Sequence, residues 1–524
     1  MRGNTNFRHR HIYPLKKGSK SHIKKGSILS PICETARNIV DIDGINDVKI
    51  DGIIDSCYDL INSAVGEILS SLPKPMVTSY DLNTSIDTNN IAINNYHIPP
   101  IEDVIDQIKT YYKTNYHKIL TLDDITDLLY DGKIPQEIVE KYPNIYMNKL
   151  LFSTFIPTNI VRSIRQNLRH VLEINYNSHN SQPPIQILLY IPTNYHENKQ
   201  YYNELIDKIY TRIQLIYRLI YANFAKNNKH NKNPHELSTK TPQFILYMTP
   251  DTKVIPLAPN KSFVFTPECV NSAVTDGEII VIYRQEELLK SIYHELIHYY
   301  KLDFPFSQTP NELIEFIKDR HNLDPNNEYR LSEAVTEAMA NFLNICTNSH
   351  NNINLFHRLF ISELSYSILN VAKILRLLHY NSWQSFIRNN NSNKSNKSNK
   401  SNKSNKSNKS NNINKNNSVK LKQRDTSVLS YHIIKLYILW NFSLYLKKCI
   451  HSRSIKFNSD FKEFQSIIEI AIDDKILSDS INKTLHKIKY NSKKNSRKNN
   501  TKNIKKNNKT SKILKTFRMT CSID

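Results

Sequence analysis

His294 and His298 stand four residues apart in the segment SIYHELIHYY, with Glu295 directly after the first of them. At 3.6 residues per turn, an i, i+4 pair falls on one face of a helix, one turn apart, so both imidazoles can reach a single ion. Imidazole nitrogen suits zinc, and a catalytic zinc site takes three protein ligands and keeps a fourth position for water. A carboxylate at Glu295 then lies within reach of that water and can remove its proton. The competing explanation is a surface helix with two ordinary histidines. Tyr293, Leu296 and Ile297 give the helix an apolar remainder, and an extended run, EIIVIY, precedes it. Both features suit a helix packed on a sheet.

A third ligand has three candidate sources. The continuation HExxHxxGxxH is absent, because HELIH runs into YYKLDF without a glycine or histidine at the needed positions. Asp303 is one position short of the last ligand in that pattern, and a helix extended past His298 would carry it about 140° around the axis. The remaining source is a separate helix, LSEAVTEAMANF, where Glu333 and Glu337 stand one turn apart. There Glu333 would be the ligand, and Glu337 would accept the N–H of a ligand histidine and fix its tautomer. Paired carboxylates also describe a solvated helix face, so spacing alone leaves both Asp303 and Glu333 open, with Glu333 preferred. For the group that stabilises an oxyanion, Tyr299, Tyr300, Tyr366 and His379 are all available, and none is singled out.

HELIH followed by SEAVTEAMANF resembles the gluzincin group of zinc peptidases, in which a glutamate ligand on a second helix is followed four residues later by an orienting acid. That acid is commonly aspartate, and Glu337 stands in its place. The stretches PQFILYMTPDTKVIPLAPNKSF, PECVNSAVT and IIVIYRQEELLKSIYHELIHYYKLDF are also similar to uncharacterised gluzincin-like proteins of large (giant) DNA viruses. The similarity covers residues 183–345, about a third of the chain. It implies Zn2+ as cofactor, His294, His298 and Glu333 as its ligands, Glu337 behind a ligand histidine and Glu295 as general base. It also implies a zincin-like core whose sheet edge lies above the metal and can pair with an extended peptide.

The elements that must position these residues are legible as periodicity. PIQILLYIPT and PQFILYMTP read as short buried strands, Tyr201–Ala225 as a long helix between them, and Glu278–Tyr283 as a third strand leading into a helix that opens near Gln285. Further helices fit Asn311–Arg320, Glu328–Ile345 and Leu355–His379. The fold class is therefore α+β. In chain order we expect a basic disordered tail over 1–30, a helical N-terminal region over 31–180 and the catalytic domain over 181–388. A low-complexity linker over 389–426, a helical segment over 427–489 and a second basic disordered tail over 490–524 complete the chain. Six consecutive Ser-Asn-Lys triplets, Ser392 to Lys409, contain no apolar residue and cannot form a packed repeat.

The formal charge of +23 is unevenly spread. Residues 1–30, 392–424 and 490–524 hold 29 Lys/Arg and one acid, leaving 42 Lys/Arg against 47 Asp/Glu elsewhere, a net of −5. The basic balance thus belongs to tails and linker, whose partners would be phosphate groups of nucleic acid contacted without base stacking. Six scattered cysteines without a CxxC pair fit a reducing compartment. No apolar stretch follows the basic N-terminus, and the most apolar run, Tyr431–Leu446, is interrupted by His432, Lys435 and Asn441. It reads as a buried or amphipathic helix and not as a transmembrane segment. With the viral resemblance, this sets the expected location as intracellular, in host cytoplasm or virion, and not secreted. The expected activity is hydrolysis of a peptide or protein substrate. The alternative is a catalytically silent zincin-fold virion or host-interaction protein whose basic tails contact nucleic acid.

Overall fold

The computed structural model describes residues 36–40, 50–82, 98–177, 184–227, 241–255, 264–388, 420–450, 456–457, 460–494 and 516–521. The tail over 1–30 and the Ser-Asn-Lys triplets lie outside them. Six strands form one mixed sheet: β1 (Met76–Asp81), β2 (His170–Tyr176), β3 (Ile185–Ile191), β4 (Gln243–Tyr247), β5 (Ala273–Thr275) and β6 (Ile279–Ile282), in the order β1-β2-β3-β4-β6-β5. β3, β4 and β6 run parallel in the centre, as their continuous apolar runs require of strands covered on both faces. β1 and β2 add antiparallel on one side, and the three-residue β5 pairs antiparallel with β6 at the far edge. The class is α+β, as expected.

Helix α1 (Gly52–Ser70) starts at Asp51, whose carboxylate accepts from the amides of Ile53 and Ile54. Four helices, α2 (Ile101–Tyr116), α3 (Leu122–Tyr130), α4 (Gln136–Lys141) and α5 (Thr158–Asn167), lie between β1 and β2. α6 (Lys199–Asn227) crosses from β3 to β4, and the short α7 (Pro267–Val270) precedes β5. α8 (Leu288–Tyr299) carries HELIH, and α9 (Asn311–Arg320), α10 (Ser332–Asn348), α11 (Ile353–Leu377) and α12 (Trp383–Phe386) follow. After residue 420 a π-helical turn, Leu429–Ile434, runs into α13 (Lys435–Trp440), then α14 (Phe442–Cys449), α15 (Phe461–Asp473) and α16 (Lys475–Lys494). α8 packs between α6 and α10 and against β5 and β6, which seats the histidines at the sheet's edge. No described helix is long and apolar enough to cross a membrane.

Three expectations need correction. The boundary at residue 180 does not exist, because β2 lies before it and pairs along its whole length with β3 after it. Residues 420–426 are not linker: Leu421 bridges Leu323, and Gln423 bridges Phe265. The segment 516–521 is not a solvated tail, since Phe517, Met519, Thr520 and Cys521 are all buried. It threads between α8, α11 and α13. Thr516 bridges Val254, the amides of Met519 and Thr520 donate to Glu287, and Lys435 Nζ donates to the Met519 carbonyl at 2.8 Å. Glu363 Oε2 accepts from Thr520 Oγ1 at 2.8 Å and the Cys521 amide at 3.0 Å. Lys373 Nζ donates to the Thr516 carbonyl at 2.9 Å.

Ile387 and Leu421 are both bridged to one short segment, His321 to Ile387 and Leu323 to Leu421. His321 is fully buried, with Nδ1 2.8 Å from the Ile317 carbonyl and Nε2 2.7 Å from the Tyr437 hydroxyl. Burial pushes its pKa down to about 4, assisted by the charges of Arg320 and Arg388. The imidazole is thus neutral in the fold but takes a proton below about 6.5 when unfolded. Its contribution is present in full above pH 6.5 and is lost as the pH falls toward 4, amounting to about 2 kcal/mol by pH 5. Urea unfolding at pH 7.5 and pH 5 should show this loss in the wild type and a smaller one in His321→Asn. Equal losses in both would deny His321 the role.

Candidate metal and catalytic site

α8 opens at Glu287, a non-glycine residue with φ of 66°, held there by a buried pairing of its carboxylate with Lys253 Nζ at 2.5 Å and by the amides of Met519 and Thr520. The helix starts two to three residues later than its periodicity suggests for this reason. About two and three turns on, His294 and His298 turn their rings toward each other, centroids 4.8 Å apart. Their Nε2 atoms are 3.2 Å apart. Glu333, in the first turn of α10, brings Oε2 to 3.3 Å from the first and 3.2 Å from the second. The three atoms form a near-equilateral triangle, and they are the one group of potential metal ligands found among the described residues.

Each imidazole is held from behind by a carboxylate. Glu337 Oε2 lies 3.0 Å from His294 Nδ1, and Asp303 Oδ2 lies 2.9 Å from His298 Nδ1. An ionised carboxylate only accepts, so Nδ1 carries a proton in both rings, and in the neutral form of each ring Nε2 presents a lone pair. In that form three lone pairs meet. Such a cluster is repulsive unless protons or a cation are shared among them. The spacing fits a metal: ligands at about 2.0–2.1 Å in tetrahedral arrangement stand about 3.3–3.4 Å from one another. His294, His298 and Glu333 could thus hold a divalent ion.

Burial opposes charge on both histidines, but the Glu333 carboxylate, joined by Glu337 at His294 and Asp303 at His298, outweighs it and raises both pKa values. Burial likewise opposes ionisation of Glu333, yet the two histidines hold it well below the usual carboxylate range. Glu337 is also held low despite burial, chiefly by Lys290, whose Nζ reaches both its oxygens at 3.1 and 2.8 Å. Glu295 differs: burial raises its pKa, and the neighbouring histidines only partly offset this. A carboxylate raised toward neutrality has the basicity that proton transfer from water asks for.

A cavity of about 360 Å3 opens over these atoms, walled by β5, Arg330, Gln423 and Tyr431. Tyr431, in the π-helical turn, has its ring 6.0 Å from that of His294 and lines the cavity together with Glu333. Burial, then the Glu333 and Glu295 charges, hold the phenol proton on, so it is a donor. The structure brings together all five residues singled out by sequence, His294, Glu295, His298, Glu333 and Glu337. Tyr299, Tyr300, Tyr366 and His379 are not among the side chains lining the cavity. Asp303, weighed as a ligand, stands behind His298 instead. Sequence reasoning misses Lys290 and Tyr431: one reads as an ordinary helix lysine, and the other begins a run legible only for its hydropathy.

The fold and cluster together define an α+β protein in which two histidines and a glutamate converge, His294 buried and His298 and Glu333 half-buried, beside a sheet edge. No family model, no curated protein and no solved structure matches the chain.

Proposed function

We propose that the chain is a zinc-dependent peptidase with a zincin-like core, His294, His298 and Glu333 holding the metal. The observation that carries this is the meeting of three potential ligand atoms 3.2–3.3 Å apart with a buried carboxylate of raised pKa on the same helix. The zincin-like part of the reading is supported by β5, an edge strand lying along the same cavity. Zinc bound there would supply Lewis acidity toward the scissile carbonyl and a lowered pKa for attacking water. Glu295 takes the proton of the water and afterwards delivers it to the leaving amine. Tyr431 donates to the oxygen on which negative charge grows as the carbonyl is attacked. Glu337 and Asp303 keep the imidazoles in the one tautomer and orientation that leaves Nε2 available.

The test is metal analysis of purified protein together with hydrolysis of a peptide library by the wild type and Glu295→Gln. Both should contain one zinc per chain, and the variant should hydrolyse about 10²–10⁴-fold more slowly. Zinc lost from the variant would refute the role of Glu295 as base and not ligand. Zinc in both proteins with activity in neither would turn the reading to a non-catalytic zincin-fold binding protein.

A further inference from the structure

At one end of the cleft three chain segments are tied together. Asn271, two residues before β5, donates from Nδ2 to the carbonyls of Phe155 at 3.4 Å and Asp425 at 3.3 Å, and its Oδ1 accepts from Thr426 Oγ1 at 2.9 Å. The junction is fixed from outside as well. Arg284 Nε donates to the Asn271 carbonyl at 3.0 Å, and the Tyr283 hydroxyl donates to the Phe155 carbonyl at 3.1 Å. Phe155, Asn271, Asp425 and Thr426 all line the cavity, so three separate chain segments are tied across it where β5 begins. An extended peptide paired along β5 cannot continue past this wall.

A cation waits at the same end. Arg330 lies three residues before the ligand Glu333 and lines the cavity, with its guanidinium carbon 5.8 Å from the centre of the Phe155 ring. Its ion pair is with Glu328 at 2.9 Å, and with side chains 39% and 49% exposed the pair is solvent-screened and weakly held. A planar guanidinium of this kind is suited to bidentate capture of a carboxylate. Strand polarity selects the same terminus. β5 pairs only with β6 among the described residues, so its other edge is free. A peptide added there in the antiparallel sense, the slightly more stable ladder, runs from Thr275 toward Ala273 and brings its C-terminus to the wall.

We infer that the cleft takes the C-terminal end of an extended peptide, with Arg330 binding the terminal carboxylate, so that the chain acts as a carboxypeptidase releasing short C-terminal fragments. This rests on the proposed peptidase function. Glu328 and Asp425 also line the cavity and would suit an N-terminal ammonium, which makes aminopeptidase action the outcome to be tested against.

The experiment uses one peptide in four forms, free at both ends, N-acetylated, C-amidated and blocked at both ends, with the zinc-loaded full chain. The acetylated and free forms should lose C-terminal residues at similar rates by mass spectrometry, and the amidated and doubly blocked forms should both be cut at least about tenfold more slowly. Arg330→Gln should keep its zinc, raise KM for the acetylated peptide about 10–100-fold, the scale of one charge-assisted hydrogen bond, and erase the difference between acid and amide. Calorimetry on zinc-loaded Glu295→Gln gives a second readout, with the acetylated acid binding at least about tenfold tighter than its amide. Internal cleavage of the doubly blocked peptide, or removal of N-terminal residues from the amide, would overturn the inference and leave the peptidase reading intact. Binding preference for the acid with no hydrolysis by the wild type would support carboxylate recognition and sink the peptidase reading. Equal binding of acid and amide would overturn the role of Arg330.

Discussion

Glu333→Ala is expected to abolish stoichiometric zinc binding, as His294→Ala and His298→Ala should, whereas Asp303→Ala and Glu337→Ala should keep the metal with affinity lowered about 10–100-fold. The distinction follows from which side of each ring the carboxylate occupies. Glu333 Oε2 meets both Nε2 atoms at 3.2–3.3 Å, whereas Asp303 and Glu337 bond Nδ1 on the opposite edges at 2.9 and 3.0 Å. Removing Glu333 leaves two neutral nitrogens, too few for a site that needs three protein ligands. Removing Asp303 or Glu337 leaves the donor set whole but frees a ring to rotate or to move its proton to Nε2. Glu337→Ala carries a second cost, since Lys290 would keep a buried ammonium without its carboxylate, and a broken buried pair destabilises by about 3–5 kcal/mol. Metal content by mass spectrometry and competition with a chelator measure the two effects separately from unfolding. An empty site in Asp303→Ala together with retained zinc in Glu333→Ala would reverse the ligand assignment.

Asp303 also shows where the sequence stops being informative. On a helix continuing past His298 it would lie about 140° away around the axis. α8 instead ends at Tyr299, and Lys301 turns the chain with φ of 51°, which returns Asp303 to the back of the His298 ring. Nothing local in YYKLDF announces that turn, because the residue adopting it is a lysine and not glycine or asparagine. The legible pairs, His294 with His298 and Glu333 with Glu337, are one helical turn apart and need only the helix to be right. Partners set by packing are not legible. Lys290 faces Glu337 only because α8 lies on α10, and Tyr431 reaches the His294, His298 and Glu333 cluster from a turn more than ninety residues after Glu333. β5 escapes for a different reason: three residues, AVT, give no measurable alternation, and its identity as a strand comes from β6 beside it. Charge counting misleads at the C-terminus, where surrounding lysines hide the apolar residues of the segment Thr516–Cys521.

Deletion of residues 516–524 should therefore be among the most damaging changes available outside the metal site. Glu287 would lose the amides of Met519 and Thr520, Glu363 those groups of Thr520 and Cys521 that it binds, and Lys373 and Lys435 their carbonyl acceptors. All four side chains are at most 3% exposed, so water cannot readily replace what is removed. Each buried charge left short of partners costs about 1–3 kcal/mol or more, and several together rival the roughly 5–15 kcal/mol of a typical domain. Because Glu287 sets the start of α8, the loss reaches His294 two turns later, and zinc affinity should fall with stability. Deletion of Ser392–Lys409 is the control: it removes 18 polar residues from between Ile387 and Leu421, both of which are bridged, and shortening the chain between two fixed points alters closure entropy by only about 1 kcal/mol. Thermal unfolding of both deletions should show a large drop in Tm for the first and little change for the second. Adding the peptide TFRMTCSID to the truncated chain should recover part of the lost Tm, since the slot is formed by helices that remain. A truncated chain with unchanged Tm and zinc affinity would mean that these buried carboxylates and lysines satisfy one another without the C-terminal segment, and that its burial has no part in holding the metal helix.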